Sequence, residues 1–484
     1  MQSPAGLALL LAAVAAGACG DSGGPARPSA VSVKVSPHVA TVLEVSWSTA
    51  GPTIGYVEYG PTSSLGSRTA IETAPVREHK VLVLGLRGDT EYFYRVATWE
   101  DTMSGSAAGA SPIAKVRTGP LPTGVPNLTK TGSGHTGFIV TPLLGGTRAA
   151  VILDSDGEIV WYHCIAKNAE GQPDCAAPEV PGEERLEAYR ARISRDGKSV
   201  LYNYAKISGE PSQSSALVRV SLDGAEVSSI AVPLLAHDFV EHADGTLATL
   251  TFEDRTFEGM RFRGNQIVEI APDGARRTAW TSWNCFDPAV IKGDDLMLGW
   301  TFANALDLDL AGDAYYVSLR NFSSIAKIDR ATGACQWVLG VGASTFTFAE
   351  GSARFLHQHQ FHIRGNRILV MDNDGMGGQK SRLMEYELDF TAMQARQIWS
   401  YLPTPSVYAF VLGEPIRLAD GGVFVNWSAA GQMEHLDKDG AQIWKLNSGV
   451  GTVFGFNTLA GDLYAAGGGT VAALTAGGEG QANR

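Results

Sequence analysis

The sequence predicts an all-β protein, a six-bladed β-propeller preceded by a small β-sandwich, and three observations predict it. An acidic or glycine turn between two apolar strands recurs at intervals of about 45 to 70 residues, the range expected of propeller blades with some longer loops. The chain of 484 residues carries 56 glycines and is only 18% charged and 44% hydrophobic, which fits a turn-rich β protein; it is also too long for one ordinary core. Finally, the segment from Thr452 to Ala466 has strand character but no acidic hairpin after it, so it fits the strand that completes the first blade and hides the sheet edges.

In chain order, residues 1–18 hold an apolar run, Leu7 to Ala16, that is too short to span a bilayer and is followed by small residues, as in a secretory signal. Ala16-Gly17-Ala18-Cys19 resembles a lipoprotein processing box, with Cys19 as the acylated first residue and residues 19–30 as tether. The alternative is an ordinary cleaved signal. Either way the chain is expected to be exported, to the periplasm or the cell surface, and to meet a membrane only through that anchor. Residues 31–118 read as short strands of period two: Thr41 to Trp47 alternates, and Tyr56 to Tyr59 and Lys80 to Leu84 follow between turn signals. Leu86 to Val96 resembles the fibronectin type III pattern, which implies a buried Trp47 and a tyrosine corner at Tyr92. Gly119-Pro120-Leu121-Pro122 is the expected linker to a propeller over 119–476, and residues 477–484 form a flexible tail.

The repeated turns are Asp154 to Trp161, Leu222-Asp223-Gly224, Pro272 to Trp280, Asp329 to Trp337, the longer Leu388 to Trp399, and Asp437 to Trp444. Each offers the left-handed position that a hairpin needs, and five of the six close on tryptophan. Counting them gives six blades.

The net charge of −12 and the absence of clustered Lys and Arg argue against nucleic acid as a partner. With Cys19 assigned to the anchor, Cys164, Cys175, Cys285 and Cys335 remain, an even number in a chain bound for an oxidising compartment. A local bridge from Cys164 to Cys175 is preferred, and Cys285 with Cys335 follows by elimination. No Cys-x-x-Cys is present, and Asp372 to Gly378 lacks the Glu that ends an EF-hand, so no metal is expected. Asn127-Leu128-Thr129, Asn321-Phe322-Ser323 and Asn426-Trp427-Ser428 match the glycosylation triplet, a pattern common by chance.

Chemistry is expected where the first strands of successive blades converge on one mouth of the central channel. His237-Asp238, Phe302 with Asn304, and His357 to His362 occupy corresponding places before their hairpins, and Arg320 ends the strand Tyr315 to Leu319. Two imidazoles beside a guanidinium suit a sulfate or phosphate group, because Arg offers paired donors and His a nucleophile or acid/base. On a regular strand His357 and His359 would share a face, with His362 on the other.

His237-Asp238, Ser318 to Asn321, Lys327-Ile328-Asp329, Gln358-His359, Asp372-Asn373, Ser381-Arg382 and the stretch from Gly413 to Trp444 together resemble the bacterial aryl sulfotransferase family, a likeness running from about Gly137 to Trp444. The resemblance implies a propeller enzyme that moves a sulfuryl group from an aryl sulfate to a phenol without a nucleotide or other cofactor. It implies His359 as the nucleophile that becomes sulfated, with His237 and Arg320 assisting and Asn304, His357 and Phe302 near the substrate. At Phe302 the family usually has a histidine, and phenylalanine can neither donate nor carry a proton. Either His357 or His362 compensates, or the activity is weak or changed. The rival reading is a catalytically silent propeller that binds a ligand or protein at the surface.

Overall fold

The computed structural model describes residues 27–100, 109–167, 173–176, 184–207, 209–291, 293, 299–375 and 377–465. The expected signal 1–18, Cys19 and the tail 477–484 lie outside the described residues. The described chain is nearly all strand, with three short 3-10 turns, and among the described residues no helix is long and apolar enough to cross a membrane.

Six antiparallel sheets follow one another as blades. In the second blade they are Ala191–Ile193, Ser199–Tyr204, Ala216–Ser221 and Val227–Ala231; in the third, Leu235–Glu241, Leu247–Phe257, Met260–Ile270 and Arg276–Thr281. The fourth holds Ala303–Leu308, Ala314–Leu319, Ser324–Asp329 and Cys335–Gly340, and the fifth Phe361–Arg364, Arg367–Asp372, Arg382–Asp389 and Gln394–Tyr401. The sixth holds Glu414–Arg417, Val423–Asn426, Gln432–Leu436 and Gln442–Asn447. The first blade is composite: Phe138–Gly145, Ala149–Leu153 and Ile159–Cys164 receive their innermost strand from Thr452–Phe454 and Thr458–Ala460 near the C-terminal end. A second clasp runs the other way, since Thr129–Gly132 pairs with Gln442–Asn447 and adds a fifth strand to the sixth blade. Both ends of the ring are thereby tied, and no inner edge is left open at the seam.

Each of the six repeated turns joins the last two strands of its blade. The local cause is visible in the final one, where Asp437 Oδ1 accepts the N–H groups of Asp439 and Ala441 at 2.9 Å while Gly440 takes φ +85°. Two of the closing tryptophans then reach across to a neighbouring blade. Trp161 Nε1 donates to Leu222 O and Trp444 Nε1 to Ser155 O, both at 2.9 Å, so the sixth blade grips the first and the first the second.

The N-terminal region is a single curled sheet. Its long strand Leu43–Gly60 pairs in its first half with Ser29–Val35 and Val76–Val83, and in its second half with Glu91–Trp99. The two runs read as separate strands, Thr41 to Trp47 and Tyr56 to Tyr59, lie on this one strand, whose pairing with Val76–Val83 shifts register between Ser48 and Thr53. Trp47 is buried among Val45, Val57 and Leu86, and the Tyr92 hydroxyl accepts the Arg87 N–H at 3.0 Å. This sheet docks on the first blade. Thr41 Oγ1 donates to Val160 O at 2.8 Å, Ala40 N–H to Tyr162 Oη at 2.9 Å, and Val39, Val42 and Leu84 join the core that holds Trp161. Disulfides link Cys164 with Cys175 and Cys285 with Cys335, at Cα separations of 4.7 and 5.8 Å.

Candidate active site

The inner strands bring residues from all six blades to the channel axis, in two levels. At the lower level Arg190, only 2% exposed, donates to Asp238 Oδ1 at 2.9 Å, to both oxygens of Glu414 at 2.8 and 2.9 Å, and to Asn457 O at 2.8 Å. Asp238 also takes the Leu306 N–H at 3.1 Å and the Gln360 amide. Second, third, fourth, fifth, sixth and first blades are therefore tied at one point. These buried contacts form a polar plug that joins the blades.

At that upper level stand His237 and His359, each 1% exposed, with ring centroids 6.3 Å apart. Their tautomers follow from their neighbours. Asn373 Nδ2 donates to two carbonyls, Ala409 O at 2.6 Å and Leu412 O at 2.9 Å, which only the NH₂ end of an amide can satisfy. Its Oδ1 therefore faces His359 Nδ1 at 3.0 Å, so Nδ1 carries the proton and Nε2 keeps the lone pair. Burial, the His237 ring and the Arg320 charge hold His359 neutral, with its pKa well below the usual histidine value. In His237, burial lowers the pKa to about 3; its ring donates toward the Ala303 carbonyl, and Nδ1 is buried without a partner.

Arg320 opens the turn Arg320–Phe322 and donates to Asn321 Oδ1 at 2.8 Å; among the described residues no carboxylate pairs with it. Its charge is felt by both histidines, and it does not brace two blades through an acid. Asn304 donates its amide to Gln358 O at 2.8 Å, and Gln358 Nε2 donates in turn to Ser318 Oγ and Ser324 O, both at 2.9 Å. This lashes the segment carrying His359 to the fourth blade. Asn304 thus positions His359 through the main chain, while its own Oδ1 stays buried and unpartnered.

Phe302 sits edge-on to His237, with centroids 4.9 Å apart, in left-handed backbone at φ +46°. The two histidines proposed to compensate for it turn elsewhere. The regular strand begins only at Phe361, and His357 adopts φ +52°, so the alternation assumed for a strand does not apply. His357 pairs with Asp374 at 3.5 Å, and His362 Nδ1 accepts the Arg417 N–H at 2.8 Å. Among the described residues no group of three or more His, Cys, Asp or Glu is arranged to hold a metal ion. Sequence reasoning missed the part played by Asn373, and also Arg190 and Glu414, whose partners are brought to them by other blades.

Comparison with solved structures gives low overall likenesses. A functionally unknown protein from Desulfotomaculum acetoxidans is 11% identical over 75% of this chain and 95% of its own, with a TM-score of 0.37. The periplasmic gluconolactonase of Pseudomonas aeruginosa is 14% identical over 67% and 100%, with a TM-score of 0.36. A hypothetical selenium-binding protein from Sulfolobus tokodaii is 9% identical over 91% and 95%, with a TM-score of 0.38. None of these bears on the chemistry of the site. No curated protein matches the chain. Residues 139–448, from the first blade to just past the last hairpin, match the model of the Arylsulfotransferase (ASST) family, and by that match the chain belongs to the arylsulfotransferase family.

Proposed function

We propose that the protein transfers a sulfuryl group from an aryl sulfate to a phenolic acceptor through a sulfo-histidine at His359, with no nucleotide donor. The observation that carries this reading is the grip of Asn373 Oδ1 on His359 Nδ1, which orients a buried neutral imidazole whose ring centroid lies 6.3 Å from that of His237 and which feels the charge of Arg320. In the first half-reaction, which starts with His237 protonated on Nδ1, Nε2 attacks sulfur, the bond from sulfur to the aryl oxygen breaks, and the phenolate leaves with that Nδ1 proton, so that His237 ends neutral. In the second, an acceptor phenol oxygen attacks the same sulfur, the N–S bond breaks, and the phenolic proton passes to His237 Nδ1, which resets the cycle. Arg320 offers paired donors to the non-bridging oxygens. Asn373, a neutral acceptor, supports the positive character that the ring gains when Nε2 bonds to sulfur.

The N-terminal sheet is read as a fibronectin type III-like module that rides on the first blade, and the chain as an exported protein anchored through Cys19. A second reading, a propeller that binds without catalysis, draws on one observation: Phe302 stands where a further donor is expected. The test is release of 4-nitrophenol from 4-nitrophenyl sulfate with a phenol acceptor. Acceptor-dependent release that vanishes in His359→Ala, together with a sulfate adduct mapped by mass spectrometry to His359, is the expected result. A folded protein that releases nothing across a panel of donors supports the second reading instead.

A further inference from the structure

A cleft of about 570 Å³ opens between the fifth and sixth blades, a volume that suits a small molecule. It lies away from His359, which precedes the strand Phe361–Arg364; the cleft gathers at the far end of that strand, around the hairpin from Arg364 to Arg367. Strand register concentrates charge there. Arg364 stands opposite Arg367, Arg367 opposite Glu387, and Glu387 opposite Arg396, so one rung crosses all four strands of the fifth blade with three cations and one carboxylate. Side chains of one rung share a face, and all four line the cleft. Arg417 and Lys438 line it from the sixth blade. The acids are already engaged: Glu387 accepts from Arg396, and Glu385 accepts from Arg417 Nη2 at 2.5 Å. Lys438 pairs at 2.6 Å with Asp439, which lies outside the lining. Arg364 reaches only main-chain carbonyls, Leu418 O at 3.1 Å and Arg417 O at 3.4 Å, and among the described residues no carboxylate pairs with it or with Arg367. Like charges set directly opposite each other destabilise a sheet, and here the described chain supplies no counter-ion between them.

We propose that this cleft binds a small multivalent anion of the phosphate or sulfate type, held by the guanidinium groups of Arg364 and Arg367 and by His362 Nε2–H. A guanidinium offers parallel donors that match two oxygens of such a group, and an anion between the two arginines turns their repulsion into attraction. His362 adds a directed donor. Its Nδ1 accepts the Arg417 N–H, so Nε2 carries the proton, and the ring lines the cleft. Burial, with the charges of Arg364 and Arg417, lowers its pKa to about 4 and keeps it neutral. Arg417 serves as wall: it lies over the Trp399 ring, 4.7 Å from the centroid, and Glu385 holds its other side. The site is separate from His359 and does not depend on the transfer reading.

The probes are pyrophosphate and benzene-1,3-disulfonate, titrated into the full chain by calorimetry at about 0.15 M salt, where diffuse surface attraction is screened. One anion per chain is expected, and the tighter of the two probes assigns the phosphate or the sulfuryl source. Loss of a charge-assisted contact predicts about tenfold weaker binding in Arg367→Gln and about a hundredfold in Arg364→Gln/Arg367→Gln. Arg77→Gln removes the same charge from an exposed position on the strand Val76–Val83 of the N-terminal sheet and leaves the affinity unchanged. Both cleft arginines are exposed, so the variants fold, which melting checks. Without ligand, Arg367→Gln melts at or above the wild-type midpoint, because a repulsion is relieved; a lower midpoint gives Arg367 a structural part and overturns the argument from unmatched charge. Failure of both probes to bind, or equal weakening by Arg77→Gln, overturns the site.

Discussion

Replacing Asn373 by alanine removes three bonds at once, and the loss divides between stability and rate in a way the geometry specifies. The side chain is buried; the carbonyls of Ala409 and Leu412 lose a donor, and His359 Nδ1–H loses its acceptor. A buried polar group left unpaired costs about 1–3 kcal/mol, so Asn373→Ala is expected to lower stability by about 3–6 kcal/mol once part of the gap fills with water. Sulfuryl uptake is expected to fall about 10- to 100-fold, because nothing then fixes the tautomer that presents Nε2, the scale seen when a supporting partner of a functional imidazole is removed. The assay is the pre-steady-state burst of 4-nitrophenol from 4-nitrophenyl sulfate, with melting followed in parallel. Asn373→Asp separates geometry from charge. It keeps an oxygen facing Nδ1 but sets a negative charge beside the ring, which raises the pKa of His359. Since only the neutral ring attacks, the acid limb of the burst-rate profile moves to higher pH in Asn373→Asp. A folded Asn373→Ala whose burst rate stays within about twofold of wild type refutes the tautomer argument and His359 as nucleophile with it.

Three further outcomes follow from the same contacts. Arg190→Met leaves Glu414 buried without its cation and Asp238 with only Arg192, 3.7 Å away, and is expected to cost about 3–5 kcal/mol, with partial recovery in Arg190→Met/Glu414→Gln; an unchanged melting midpoint in the single variant rules out the plug as a keystone. Buried His135, with its pKa lowered to about 3 chiefly by burial, is neutral when folded but protonates near pH 6.5 when unfolded. Its contribution is therefore intact above pH 6.5 and is lost toward pH 3 at up to about 1.4 kcal/mol per pH unit, so His135→Phe should flatten the fall in melting midpoint between pH 6.5 and 4. Phe302→His sets a donor beside His237, in left-handed backbone that histidine tolerates better than most residues; one added hydrogen bond predicts about a tenfold faster burst, and a slower burst would assign the Phe302 ring to substrate packing.

The blades were legible because their signal is local. An aspartate that caps its own turn, a glycine three residues on and a closing tryptophan sit within ten residues of one another, as at Asp437, Gly440 and Trp444. The pairing of His237 with His359 was legible for a different reason: corresponding places on inner strands converge in a closed ring, whatever the distance in sequence. What failed was local geometry inferred from a regular strand. His357 to Gln360 precede the strand, and the left-handed turn at His357 sends its ring to Asp374. Asn373 was quoted only as part of a motif, because its function depends on Ala409 and Leu412, carbonyls on a loop more than thirty residues away that orient its amide. Arg190 gave no signal at all, since a single arginine in a strand reads as exposed until five other blades surround it.

The substitution at position 302 bears on how charge is shared at the site. A sulfuryl group in transfer carries net negative charge, and the fixed cation beside the two imidazoles is Arg320, which is not neutralised by a carboxylate among the described residues. His359 must stay neutral to attack, and a further protonated group close to it would hold its lone pair less available. A phenylalanine edge against His237 adds no charge and limits how that ring can turn, so the free Nδ1 keeps one direction. The arrangement gives up a hydrogen bond to the sulfuryl oxygens and leaves proton traffic to one imidazole alone. Leaving-group acidity should then govern the rate strongly, because departure of a poorly acidic phenol waits on a proton from His237, whose protonated form is scarce in so buried a place.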